Sequence, residues 1–440
     1  MNELSEFFGR RLPAQPGNAQ LGPGELAIQR ESQRYRCQRC RQWIATTDRL
    51  PNGDWYCRHC LQMGRLTSQT KLYTIPEPNR FVIPTTPVLT WTGTLSDDQQ
   101  RAAQAVCRLV QQQQNQLLWA VTGAGKTEIV YPALAWALAQ GWRVAWVSPR
   151  VDVCLELAPR IRQAFQTTSQ CLLYGEQSVP YTYSQLTVCT THQLLRFERA
   201  FDWIIVDEVD AFPLATSPLL QTAITRAEKV SGRHLYLTAT PGEALQRQIR
   251  RHEVATTYLP LRYHGFLLPR LQVRLAWRWR TLLEKSRLPA ALVRQLLAYQ
   301  QVGQRFLLFV PHVRDLDAVM AALIHAKIKG GVSVHATDEQ RTDKVQALRE
   351  RRVAFLVTTT ILERGVAFPN IAVVILGGDD AIFSTAALVQ IAGRAGRHAD
   401  FPRGEVTCYV QSQTRVVRRA QRMIDQLNRQ GKRRGGRWPA

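Results

Sequence analysis

Two stretches of this 440-residue chain hold side chains whose types and spacing dictate chemistry. The first is a pair of turns, Cys37-Gln-Arg-Cys40 and Cys57-Arg-His-Cys60, with 16 residues between them. Each turn can aim two thiolates at one ion, and two turns complete a tetrahedron. Cys37, Cys40, Cys57 and Cys60 are therefore expected to hold Zn2+. The competing reading is a redox couple, but redox CxxC motifs seldom come as a matched pair. Cys107, Cys154, Cys171, Cys189 and Cys408 stand singly in apolar or mixed surroundings and read as small core residues.

The second stretch suits a nucleotide. Ala120-Val-Thr122-Gly123-Ala124-Gly125-Lys126-Thr127 follows an apolar run and precedes a helical stretch over 128–139. The pattern is a phosphate-binding loop with Ala120 in place of its first glycine. Gly123 and Gly125 permit the tight turn, so that backbone N–H groups from Thr122 to Thr127 wrap a β-phosphate. Lys126 neutralises the β- and γ-phosphates of ATP, and Thr127 reaches Mg2+. Further on, the apolar run Trp203-Ile-Ile-Val delivers Asp207-Glu208-Val-Asp210. Asp207 can hold Mg2+ through its water shell, and Glu208 can orient or deprotonate the attacking water.

The elements that must position these groups follow from periodicity. Short apolar runs, Leu117–Val121, Val144–Val147, Ile204–Val206 and His234–Leu237, alternate with longer amphipathic stretches. The alternation lapses near an Arg-rich stretch with Pro269. It resumes at Phe306–Val310, Val332–Val334, Phe355–Val357 and Val373–Leu376. This reads as α/β architecture, two tandem parallel-sheet domains. The expected division is a loose leader over 1–35, the four-Cys module over 36–66 and an extended, proline-bearing connector over 67–93. The first domain then covers 94–265, an interdomain segment 266–290, the second domain 291–414 and a basic tail 415–440. The first part of that tail is expected to be helical, and Gly431–Ala440 unstructured. Trp277-Arg278-Trp279-Arg280 has the period of an edge strand packing its tryptophans.

Composition bounds the partners. Charged residues are 21% and hydrophobic ones 45%, which excludes a mainly disordered chain. No apolar run reaches the roughly 18 residues of a membrane-spanning helix. The opening MNELSEFFGRR does not read as a secretory signal. The net charge of +23 suits a polyanion, and nucleic acid is the commonest one. Arg34, Arg36, Arg39, Arg41 and Arg58 with Trp43, Trp55 and Tyr56 suit stacking on single strands, or equally a structural ribbon with a solvated basic face.

With these motifs in place, residues 95–410 resemble a superfamily 2 helicase or translocase, which implies RecA-like domains. Leu95-Ser-Asp-Asp-Gln99 is similar to the adenine-reading element, with Gln99 as reader. Ser148-Pro149-Arg150 and Thr190-Thr191-His192 resemble elements that grip a nucleic-acid backbone. Thr238-Ala-Thr240 resembles the element that couples hydrolysis to movement. The string from Val357 through Thr359 to Arg364-Gly365 resembles motif V, and Gln390-Ile-Ala-Gly393-Arg394-Ala-Gly-Arg397 resembles motif VI, source of the arginine fingers. Many such enzymes carry an acid two residues after the motif V glycine; Ala367 stands there, so no ribose contact is expected. Arg394 and Arg397 would meet the γ-phosphate only when the domains close, so ATP would favour closure and hydrolysis would release it.

The four-Cys module ahead of the motor, the acid box, the motif V string and the basic tail together resemble the ComFA family, late competence helicase-like proteins. That resemblance implies ATP-driven movement on single-stranded DNA during uptake in natural transformation. It also implies a cytoplasmic location at the inner face of the membrane, with a ComFC-like protein and the uptake channel as partners. Two other readings remain. One is a replication-restart or repair helicase of the PriA type, though that family carries its zinc module inside the motor's second half. The other is a non-hydrolysing, zinc-dependent DNA-binding scaffold, against which Lys126, Glu208 and the motif VI arginines speak.

Overall fold

Continuous apolar runs can form strands only where both sheet faces are covered. In the computed structural model, which describes residues 3–14, 21–83, 85–175, 179–360 and 368–439, this is how the runs are used. The chain divides into two units, Met1–Trp119 with Lys126–Tyr258, and Ala120–Gly125 with Leu259–Ala440.

The first unit begins with short elements. These are β1 (Leu12–Pro13), β2 (Glu25–Leu26), the hairpin of β3 (Ile28–Glu31) and β4 (Arg34–Cys37), and β5 (Lys71–Tyr73), which pairs antiparallel with β1 and β2. There follow α1 (Asp97–Gln111), β6 (Gln116–Ala120), α2 (Lys126–Ala139), β7 (Val144–Ser148), α3 (Val151–Ala164), β8 (Gln170–Leu173), β9 (Leu186–Thr190), β10 (Phe201–Asp207), α4 (Pro218–Ala227), β11 (Glu228–Thr238), α5 (Glu243–Arg250) and β12 (Ala255–Leu259). Their seven strands lie in the order β12-β6-β11-β10-β7-β9-β8. Ser96 opens α1 with a capping box, and Ala102, Ala103, Val106 and Val110 bury its inner stripe.

The second unit holds β13 (Gln272–Leu275), α6 (Trp279–Glu284), α7 (Ala290–Gln301), β14 (Arg305–Phe309), α8 (Asp315–His325), β15 (Gly331–Val334), α9 (Arg341–Arg349), β16 (Phe355–Thr358), β17 (Ile371–Leu376), α10 (Thr385–Ala392), β18 (Val406–Val410) and α11 (Arg415–Arg433). The sheet order is β13-β18-β17-β14-β16-β15, and every pairing is parallel. Phe306, Leu308, Val357, Val374 and Leu376 form its core with Leu292, Leu296, Val319 and Leu323 from the covering helices.

Four segments differ from the sequence expectations. Within 1–35 the described residues are tied down rather than loose. Phe7, Leu21 and Tyr73 make a small core, and Arg11 is ion-paired to Glu198 at 2.8 Å and to Glu25. The connector is held too. The wholly buried Glu77 carboxylate pairs with the equally buried Arg143, whose guanidinium also donates to Phe8 O at 2.9 Å and Tyr181 Oη at 2.6 Å. Low apolar content hid pairings made across as many as 187 residues. Trp277–Arg280 is no strand: Arg278 takes φ +52°, and Trp279 starts α6 fully buried while Trp277 stays exposed. Last, α11 continues past Gly431, and Arg437 pairs in parallel with Phe266.

Candidate metal centre and nucleotide site

The metal centre is built on the β4 hairpin. β4 ends at Cys37, whose carbonyl accepts from Arg41 N at 2.8 Å, closing a tight turn that brings Cys40 back beside it. The second turn is anchored by Cys57 N donating to Leu66 O at 3.1 Å. All four cysteines are buried, and their sulfurs lie within 4.8 Å of one another. Cys37–Cys60 is 3.8 Å, and Cys40–Cys57 and Cys57–Cys60 are 3.5 Å. Zinc–sulfur bonds of about 2.3 Å in a tetrahedron require sulfurs about 3.8 Å apart, so the cluster fits zinc. The Arg39 guanidinium donates to Cys60 Sγ at 3.2 and 3.3 Å and to the carbonyls of Cys60 and Gly64 at 2.6 Å. It thereby orients a ligand and offsets thiolate charge. Arg226 of α4 donates to the carbonyls of Gln38 and Arg39 at 2.7 and 2.8 Å. The module is therefore seated on the α/β part of its own unit.

In that unit the P-loop strand β6 leads to Lys126 and Thr127 at the start of α2, where the helix dipole favours phosphate. Gly123 and Gly125 take φ of +83° and +75°, the left-handed conformation the loop turn requires. β10 ends at Asp207, whose Oδ1 accepts from Glu208 N at 2.8 Å. Asp210 is tied to the neighbouring strand: its two carboxylate oxygens accept the hydroxyls of Thr238 at 2.5 Å and Thr240 at 2.6 Å. Thr240 N in turn donates to Thr238 Oγ1 at 2.9 Å, and Trp119 Nε1, one residue from the loop, donates to Ala239 O at 3.2 Å. Thus the loop strand, the acid box and the Thr-Ala-Thr element form one bonded group. No role for Asp210 was legible in the sequence, although it stands inside the acid box.

Gln99 is buried on α1, and its side-chain carbonyl accepts from Ser96 N at 2.9 Å. Pro149 is buried and Arg150, at the start of α3, is half-buried. Thr191 is wholly buried, so its hydroxyl lies below the surface where a strand would be gripped. Thr359 follows β16, also buried. Arg364, Gly365 and Ala367 lie outside the described residues.

The second unit contains Ala120–Gly125 together with motif VI. Within it Thr122 Oγ1 donates to Gln390 Oε1 at 3.1 Å. Arg394 is buried, and the turn that carries it and Arg397 is held by a residue sequence reasoning missed. Arg262, buried on every side, donates to the carbonyls of Gly396 at 2.5 Å, Ala395 at 3.0 Å and Gly393 at 3.1 Å. Burial, reinforced by Arg397, pushes its guanidinium down to about 9. No local pattern marks Arg262, because its partners lie 131 to 134 residues away.

Comparison with known proteins agrees with this geometry. Residues 18–74 match the competence protein ComFA N-terminal domain, 92–243 the type III restriction enzyme res subunit, and 289–399 the helicase conserved C-terminal domain. The competence protein ComFA of Bacillus subtilis (strain 168) is 38% identical over 412 residues, 92% of this chain and 88% of that one. The ComFA of Streptococcus pneumoniae (strain ATCC BAA-255 / R6) is 35% identical over 414 residues, covering 93% and 94%. Among solved structures, S. cerevisiae Dbp5 bound to RNA and ADP BeF3 superposes with a TM-score of 0.55 at 15% identity, covering 76% of this chain and 91% of that one. Mycobacterium smegmatis helicase Lhr bound to ssDNA and AMP-PNP gives 0.54 at 18%, covering 79% and 51%. At such identities the likeness is one of fold, two RecA-like parallel-sheet domains.

Proposed function

The chain belongs to the ComFA family of competence proteins, and from that membership we propose that it is a motor hydrolysing ATP to move along single-stranded DNA during DNA uptake. The observation that carries the reading is the Asp210 carboxylate held by Thr238 and Thr240. It supports a direct mechanical link between the acids that sense the γ-phosphate and the strand end that must move.

In this reading the loop backbone from Thr122 to Thr127 seats the phosphates, and Lys126 offsets their charge. Thr127 and Asp207 would hold the Mg2+ that accompanies ATP, and the ion would supply charge neutralisation. Glu208 takes the proton of the attacking water. Arg394 and Arg397 balance the charge that develops on the transferred phosphoryl group, and Gln390 reports its presence to the loop through Thr122. Loss of that phosphate releases the arginines, so each cycle alternates the two domains' hold on the strand. Arg150 marks the expected path of its backbone, with contacts that carry no sequence information, while Pro149, Thr191 and Thr359 are buried and would support that path from below the surface. The four buried sulfurs complete a tetrahedron with no open position, which suits a structural ion. Partners of this reading are a ComFC-like protein and the uptake channel at the inner face of the membrane. Among the described residues no helix is long and apolar enough to cross a membrane.

The test is ATP hydrolysis by the purified chain with and without single-stranded DNA. A DNA-stimulated rate that disappears in Lys126→Ala is expected; equal rates with and without DNA would reject the motor.

A further inference from the structure

The C-terminal helix carries chemistry that the nucleotide site does not use. α11 buries Val417, Ala420, Ile424 and Leu427 and turns an arginine-rich face outward. Beside it lies a cleft of about 660 Å3 whose charged lining is Arg270, Arg422, Arg429, Lys432 and the lone acid Asp425. Four cations against one carboxylate leave a surplus of three positive charges. The one aromatic ring in the lining is Trp438, with the Arg270 guanidinium 4.9 Å from its centroid.

The walls of this cleft are fixed. The Asn428 amide donates to Leu268 O at 3.0 Å and accepts from Leu268 N at 2.8 Å, fastening the helix to the segment that presents Arg270. Arg437 N donates to Gly265 O at 3.1 Å, and Arg437 O accepts from Leu267 N at 3.0 Å, which places Trp438 beside it. A loose basic tail would lose entropy on meeting a partner; this one is already ordered.

We propose that this cleft is a seat for single-stranded DNA beyond the motor motifs, with phosphodiester oxygens on its guanidinium and ammonium groups and a base against Trp438. The inference rests on the DNA-motor reading above. A basic groove with an arginine-backed aromatic is the pairing that single strands need, since every base has a π-face and every phosphate one charge. An acidic protein surface would use the cations but give the ring no partner.

The test titrates a fluorescein-labelled oligo-dT with the full-length chain at several salt concentrations. The triple variant Arg270→Gln/Arg422→Gln/Lys432→Gln is expected to flatten the slope of log affinity against log salt by about 2, since each lost phosphate contact removes about 0.7. Trp438→Leu is expected to weaken binding roughly tenfold and leave the slope alone. Hydrolysis of ATP without DNA should be unchanged in both, which shows that they are folded. If the unaltered chain does not hold the oligonucleotide, the motor reading falls and this cleft with it. If the unaltered chain binds and the triple variant matches its affinity and slope, the cleft alone is refuted; that is also the outcome if it receives an acidic protein.

Discussion

The carboxylate of Asp210 stands 2.5 Å from the hydroxyl of Thr238, and this contact spans the ends of two neighbouring parallel strands, β10 and β11. With Thr240 on the second oxygen at 2.6 Å, both lone-pair directions toward β11 are occupied by hydroxyl donors. Contacts this short fail with a displacement of about 1 Å, so the acid box and the Thr-Ala-Thr strand end must shift together.

Asp210→Asn replaces one acceptor oxygen by a donor and leaves a threonine hydroxyl facing it. Hydrogen bonds to an ionised carboxylate contribute about 1.5–3 kcal/mol. The expected result is ATP affinity close to that of the unaltered chain with a DNA-stimulated rate down roughly tenfold or more. A steady-state assay beside nucleotide binding checks it: a stimulated rate that survives intact removes the link.

Arg262 gathers three backbone carbonyls of the motif VI turn, at 2.5, 3.0 and 3.1 Å. A lysine keeps the charge but has no planar fork to reach them all. Arg262→Lys is therefore expected to be damaging despite its conservative look, costing about 3 kcal/mol as carbonyls lose their donors in a buried turn. In thermal denaturation that is a fall of roughly 6–12 °C for a domain of this size. A midpoint equal to that of the unaltered chain would mean the turn holds itself.

These contacts also explain what the sequence could and could not disclose. The placement of Lys126 at a helix start, of Asp207 at a strand end and of the four cysteines in one cluster was legible because loop and knuckle patterns are confined to a few consecutive residues. The strands were legible because burial on both faces demands unbroken apolar runs, as in Phe306–Val310. Arg262, Arg39 and Asp210 were not, since each acts through partners set by the tertiary fold. The leader was misjudged for a related reason. Its few apolar side chains look insufficient alone, but Arg143 donates to Phe8 O at 2.9 Å and Arg11 pairs with Glu198 at 2.8 Å. At Trp277–Arg280 the period of two was real in the letters, but the left-handed turn at Arg278 ended it.

The four-sulfur cluster leads to a prediction on metal content. Purified chain should carry about one zinc, released by a thiol-modifying reagent and seen with a colorimetric chelator. Cys57→Ser should lose most of it and lower the thermal midpoint, because a module of this size has little core without its ion. Arg39→Gln should keep the zinc but release it faster to a chelator, since Cys60 would lose its guanidinium donor. Metal content near zero in the unaltered chain would remove the assignment.

Glu198 offers a test of how the leader and module are held. Burial works to raise its carboxyl, but Arg11 at 2.8 Å and Arg226 at 3.3 Å outweigh it and hold the group below its ordinary 4.5. An acid whose folded value is depressed stabilises the fold fully above its unfolded value and ceases to do so as pH falls through the folded one. Glu198→Gln cannot ionise, so it lacks this contribution at every pH. In urea unfolding followed by tryptophan fluorescence, the unaltered chain should exceed the variant clearly at pH 7. The gap should narrow steadily below pH 4.5, as Glu198 is protonated and the two chains become alike in charge. Zinc loss in acid affects both chains equally and drops out of the difference. A gap that stays constant from pH 7 to pH 3 would show that Glu198 acts by shape alone, and that the two arginines do not draw their hold on the leader from its charge.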